Sequence, residues 1–375
     1  MSGNRCSSWR GQAGPWWPAL ALVLFLLTLL PAMAAASRLS NSDLRQMGVK
    51  DPSKFWPVML SRDGKTAYLW EEMGPGQREG GVLSRLWQFR YASDGSLIDS
   101  RVYPLAMPRA QQMCLTPDER GVVLLARLGA SFWYLDLDSG DLREFVTPGL
   151  GRTRFISDPM ALWVDQGKLY TVGYTLDAEG YSGPHTVAQI LPDQTGEKAI
   201  VPSSCDIDAV LAKFDRWYVQ RWVNPTLGFA AGKKGALYEM AAWKAGVGLT
   251  SIGRYEDITS LWANGTKVFF TADTPEGSSV AVLYDAANGR RWEAPKTNRV
   301  YDYPMVSEDG ETVTLTVTDK GGTTMDVLYG RASEDFQLKP VPGLTKTALG
   351  TIRLAGDGRS LVLRNADGLF RVGLP

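Results

Sequence analysis

Short runs of β-branched and aromatic residues, separated by tight turns built on Asp or Asn, recur along the chain. The turn residues are Asp63, Asp118, Asp165, Asp215, Asn264, Asp309 and Asp357, so successive steps are 55, 47, 50, 49, 45 and 48 residues. Runs such as Thr66-Ala67-Tyr68-Leu69-Trp70, Val122-Val123-Leu124-Leu125 and Val268-Phe269-Phe270 follow the turns, and their residue types favour strands over helices. A second turn comes later in a unit, at Ser93-Asp94-Gly95, Asp138-Ser139-Gly140, Gln194-Thr195-Gly196 and Asn288-Gly289, and predicts a hairpin between third and fourth strands. Four strands repeating at this period predict an all-β protein, a single β-propeller of seven four-stranded blades over residues 51–375.

Unit seven is short. It offers strands at 351–354, 361–364 and 370–372, then the sequence given stops at Pro375. A ring with three strands in its last blade has an open edge, and open edges invite aggregation. A segment within 37–50 is therefore expected to supply the fourth strand, although Asn41-Ser42-Asp43 ahead of Leu44-Arg45-Gln46-Met47 could instead cap a short helix.

The phrase Tyr301-Asp302-Tyr303-Pro304-Met305-Val306-Ser307-Glu308-Asp309-Gly310 resembles the repeat of the TolB-like and WD40-like (PD40) β-propellers of exported bacterial proteins. Leu60-Ser61-Arg62-Asp63-Gly64 and Leu115-Thr116-Pro117-Asp118 resemble its turn. The likeness covers most of 51–375 and is one of repeats. It implies the fold and an exported setting. TolB itself has six blades and a separate N-terminal domain, so its particular role does not carry over.

The N-terminus agrees with export. Residues 1–18 carry Arg5 and Arg10 and no acid, 19–30 is apolar except for Thr28, and small residues follow through Ala36. Residues 1–36 are read as a signal peptide cleaved near Ala34 or Ala36, since the apolar run is too short for a spanning helix of about 18 residues or more. The chain is expected to be periplasmic or secreted, with no membrane insertion once the leader is gone. Cys6 lies ahead of the apolar run and cannot anchor a lipid after cleavage. Cys114 and Cys205 come from non-neighbouring units and are expected as free buried thiols.

Charge removes other classes. The chain has 40 basic and 40 acidic residues, and losing Arg5 and Arg10 leaves a balance of −2, which implies neither nucleic acid nor an anionic surface as partner. One histidine, His185, rules out multi-histidine metal sites. No phosphate loop, nucleophile elbow or zinc motif is present. Trp70, Trp87, Trp133, Trp217 and Trp222 sit in or beside strand runs and are read as packing between blades.

Counting seven residues back from each turn residue gives Trp56, Gln111, Asp158, Asp208, Asp257, Asp302 and Gly350. In a propeller these positions fall on the innermost strands, so Asp158, Asp208, Asp257 and Asp302, with Asp206 two residues ahead of Asp208, are expected at one mouth of the central channel. Crowded carboxylates raise one another's pKa unless a cation compensates, and Arg109, Arg154 and Arg353 are placed to do so. Such a mouth would bind a small ligand, a partner's basic side chain or a cation. All-oxygen ligands favour Ca²⁺ there, although no resident cofactor is expected. The competing reading is that each Asp ties down its own blade by accepting backbone N–H bonds. Long connections at 74–81, 177–185 and 224–235, with Tyr174, Tyr181, His185, Phe229, Lys233 and Lys234, are predicted on the same face. The function expected is a non-catalytic propeller binding a protein partner, or scaffolding a complex, in the cell envelope. The alternative is a hydrolase or lyase using the channel-mouth carboxylates, with or without Ca²⁺.

Overall fold

The computed structural model describes residues 36–74, 80–107, 110–126, 131–146, 153–155, 162–176 and 182–375. They form seven antiparallel sheets arranged as a ring. Each blade begins with an inner strand: Phe55–Leu60, Ala110–Leu115, the pair Thr153–Phe155 and Trp163–Asp165, Arg216–Asn224, Asp257–Asn264, Val300–Val306 and Gly350–Leu354. The next strand is heavily buried; Gly121–Ala126 and Ser360–Asn365 are buried at every position. Strands covered on both faces need continuous apolar runs, which is what the sequence supplies. Trp70 and Trp222 are fully buried, as packing between blades requires.

The turns explain the period. Ser61 Oγ donates to Asp63 Oδ1 at 2.8 Å and accepts from Thr66 N, while Asp63 Oδ1 accepts from Lys65 N. Thr116 with Asp118, and Ser307 with Asp309, repeat this lock. The residue after Asp has positive φ in each turn; it is Gly64, Gly310 and Gly358, but Glu119 in blade two. Asp turns of this kind succeed because the short side chain bonds the backbone two residues on.

Closure follows the expectation from the short last unit. Ala36–Leu39 pairs antiparallel with Gly368–Gly373, Ala36 opposite Val372 and Leu39 opposite Leu369, and so becomes the outer strand of blade seven. The helix signal is also used: α1 (Asn41–Gln46) follows at once, capped by Ser40 in a reciprocal box with Asp43. Gly368 permits the pairing, since a Cβ there would lie 2.3 Å from the Leu39 carbonyl oxygen and its φ is +146°. Gly368→Ala is therefore expected to cost about 2 kcal/mol, read as a lowered urea midpoint; an unchanged midpoint would contradict this account of the seam.

Unit four is one strand out of step with the sequence reading. Asp215 precedes the inner strand of blade four, and the hairpin into the second strand (Leu227–Lys234) is made at 224–227, where Asn224 Oδ1 accepts from Thr226 N and Oγ1. An Asn-Pro-Thr turn replaces the Asp-Gly form. The segment 224–235, expected as a long connection, is thus mostly strand, and Phe229 is fully buried in it. The residues gained before the inner strand form α2 (Ile207–Leu211), whose Ile207, Val210 and Leu211 pack with Tyr170 and Val187 of blade three and Trp222 of blade four.

Candidate functional site

Inner strands of a ring converge, so their starts form one mouth of the channel and their turns the other. Asp257 opens the inner strand of blade five, and Asp302 is third in that of blade six. Each carboxylate accepts from the N–H of the next residue, Ile258 at 2.8 Å and Tyr303 at 2.7 Å. The Asp302 pKa is raised by burial, partly offset by the Tyr303 N–H, with no contribution from a second carboxylate among the described residues.

The other candidates are distributed. Arg353, on the inner strand of blade seven, donates through Nη1 to Ile352 O at 2.9 Å and through Nε to Val58 O of blade one at 3.4 Å. Enclosure by the ring lowers its pKa, and Tyr303 acts in the opposite direction. Asp206 and Asp208 are not on an inner strand. Asp206 caps α2 through Ala209 N, and Asp208 grips His185 of the third strand in blade three at both N and Nδ1, at 2.7 to 2.8 Å. Arg154 lies on Thr153–Phe155, opposite Tyr174. Asp158 falls outside the described residues, as do Arg109 and Tyr181. Gly350 could not have been an Asp, because a Cβ there would meet the Arg364 carbonyl oxygen at 2.4 Å. Among the described residues no group of three or more His, Cys, Asp or Glu is gathered to hold a metal ion. Cys114 and Cys205 are both free; burial pushes Cys114 up to about 12 and Cys205 up to about 11, so neither is a ready nucleophile.

Tyr303 was not legible as a site residue. It sits in a register shift between Asp302 and Met305 with φ +47°, immediately before Pro304. Such a conformation costs an aromatic residue of order 1–3 kcal/mol and persists only where the surroundings enforce it. The Asp302 carboxylate on its N–H and Thr316 Oγ1 on the Asp302 carbonyl provide that enforcement. The phenol side chain is left 40% exposed at the mouth, and Leu349, just ahead of the blade seven inner strand, is 49% exposed.

At the opposite mouth the turns of blades six, seven, one and two are bonded to one another. Glu308 N donates to Gly356 O and Asp357 N to Arg62 O, both at 2.8 Å, and Arg62 N donates to Glu119 Oε1 at 2.6 Å. Arg62 also pairs with Glu308 at 2.8 Å. Gly356 leaves the space for that pair, since a Cβ would fall 2.7 Å from Glu308 Oε1. Further round, Arg221 of blade four lies over the Trp262 ring of blade five at 4.3 Å. The sequence held one signal for this belt: Glu119 standing where the turns at 63, 264, 309 and 357 carry glycine.

No protein-family model matches the sequence, and no curated protein matches it. Solved structures do. An oligogalacturonate lyase in complex with manganese matches at TM-score 0.56 and 7% identity, over 92% of this chain and 97% of that one. A puromycin-hydrolyzing peptidase of Mycobacterium tuberculosis matches at TM-score 0.51 and 10% identity, over 88% of this chain and 52% of the peptidase. The fold is that of a seven-bladed β-propeller. At such identities the likeness extends to fold alone. TolB of Acinetobacter baumannii is also matched, at TM-score 0.40 and 10% identity over 85% of this chain and 63% of that one.

Proposed function

We propose that this propeller is exported and binds a protein partner of the cell envelope, without catalysis, through the mouth where the inner strands begin. The observation that carries the reading is Tyr303, an exposed aromatic side chain on a strained, twice-bonded inner strand, with exposed Leu349 on the next blade. A rigid aromatic anchor beside an aliphatic one is the kind of group that dominates protein interfaces. The leader-like residues 1–36 support export. The acids at this mouth suit a partner's basic side chain, with Asp257 and Asp302 half-buried on adjacent blades.

The test is capture from envelope extract with tagged mature protein beside Tyr303→Gly/Leu349→Ser, in which glycine accepts the backbone conformation of 303. The expected result is a specific protein retained by the parent and reduced at least tenfold in the variant, with equal folding by circular dichroism. Retention of nothing by either form would overturn the reading. The hydrolase or lyase alternative has one observation behind it, the raised pKa of Asp302, which is the direction a general acid needs.

A further inference from the structure

Between α2 and the sheet of blade four lies a cavity of about 640 Å³, within the range of small-molecule sites. It is well away from the channel mouth and independent of the proposal above. The insertion that shifted unit four out of step builds one wall: Val210 from α2 and Phe214 from the segment behind it. Phe214 can lie against the sheet because Gly232 has no side chain, a Cβ there falling 2.5 Å from the ring. Trp243 and Leu249 form the facing wall, with Trp243 packed on the buried Trp222 at 5.3 Å between ring centroids.

Into this space, which Ser204, Asp206 and Ser251 also line, projects Glu239. Its side chain is only 9% exposed, and Oε2 has no hydrogen-bond partner; the nearest cation is Lys234 Nζ at 3.4 Å, on a side chain that is half in solvent. A buried carboxylate oxygen without a hydrogen bond is costly, and an ion pair at 3.4 Å with a flexible, half-exposed ammonium compensates it only in part. Lys213 at the rim is likewise exposed, so the charge inside the cavity is negative while the cations stand at its edge. We propose that the cavity binds a small organic amine with an aromatic or branched aliphatic body. The body fills the space between Phe214, Val210, Trp243 and Leu249, and the ammonium donates to Glu239 Oε2, displacing Lys234 into solvent.

The probe is 2-phenylethylamine titrated into the mature protein, followed by calorimetry and by tryptophan fluorescence, with phenylacetate as the counterpart of opposite charge. The expected result is saturable binding of the amine with phenylacetate at least about tenfold weaker, a preference measured on the parent and needing no variant. Glu239→Gln, which keeps size and shape, should weaken the amine about tenfold or more. Lys234→Met should tighten it, because a competing cation is removed, whereas a purely structural role for Glu239 would give no such opposite pair of effects. Equal or tighter binding of phenylacetate, an unaffected Glu239→Gln variant, or no binding of the amine would each overturn the proposal.

Discussion

A chain beginning at Asn41 is expected to unfold about 4 kcal/mol more easily than one beginning at Ala36, and to form soluble aggregates that the longer chain does not. The five residues removed are the outer strand of blade seven, Ala36–Leu39, and Ser40, which caps α1. Each lost backbone bond is worth about 1 kcal/mol net, and domains of this kind have only about 5–15 kcal/mol in total. Packing goes with it, since Leu39 lies against the core shared by blades seven and one, and Arg38 covers the Phe370 ring at 5.3 Å. What remains is the bare edge of Gly368–Gly373, a template for a second chain. Urea unfolding and size-exclusion chromatography of the two chains read both effects, and coincident curves with matching elution would show that the closing strand is dispensable.

Glu71→Ala is expected to cost about 3–5 kcal/mol, far beyond a typical polar truncation. Glu71 is fully buried on the second strand of blade one. Its Oε1 accepts from Lys50 N, with Asp51 N at 3.4 Å, its Oε2 accepts from the Trp87 indole at 2.8 Å, and Arg85 stands 3.8 Å away. One carboxylate thereby ties the segment behind α1 to the first blade. Alanine strands these donors in a dry interior, whereas Glu71→Gln keeps one acceptor oxygen and should lose roughly half as much. Chemical denaturation of both variants checks the order; a Glu71→Ala protein within about 0.5 kcal/mol of the parent would refute the anchor.

The ring was legible because its punctuation is local. Asp63, Asp118, Asp309 and Asp357 bond the backbone of their own turns, so the residues that set the period can be read without any long-range knowledge. Blade four escaped this reading because Asn224 performs the same task without an Asp-Gly pair, and α2 fills the missing spacing. The same slip moved Asp208 from the channel to His185. Site geometry was harder still. Tyr303-Pro304 reads as extended chain, and of the two bonds that hold the left-handed tyrosine only that of Asp302 is local; the other reaches across from Thr316 on the neighbouring strand. The buried state of Glu239 likewise depends on what α2 covers.

The seam also sets an order of events. Arg38 bonds the Asp367 carbonyl across 329 positions of sequence, and Asn41 bonds that of Ala366 across 325. Hairpins within a blade close over short loops, but this contact requires nearly the whole chain to be present and the other blades already stacked. The first strand made is consequently the last to find its partner, and until then it waits as an unpaired tail. The clasp that completes the circle is therefore a clock: the late step of folding, with the slowest phase expected to track the chemistry of residues 36 to 41 and 366 to 373.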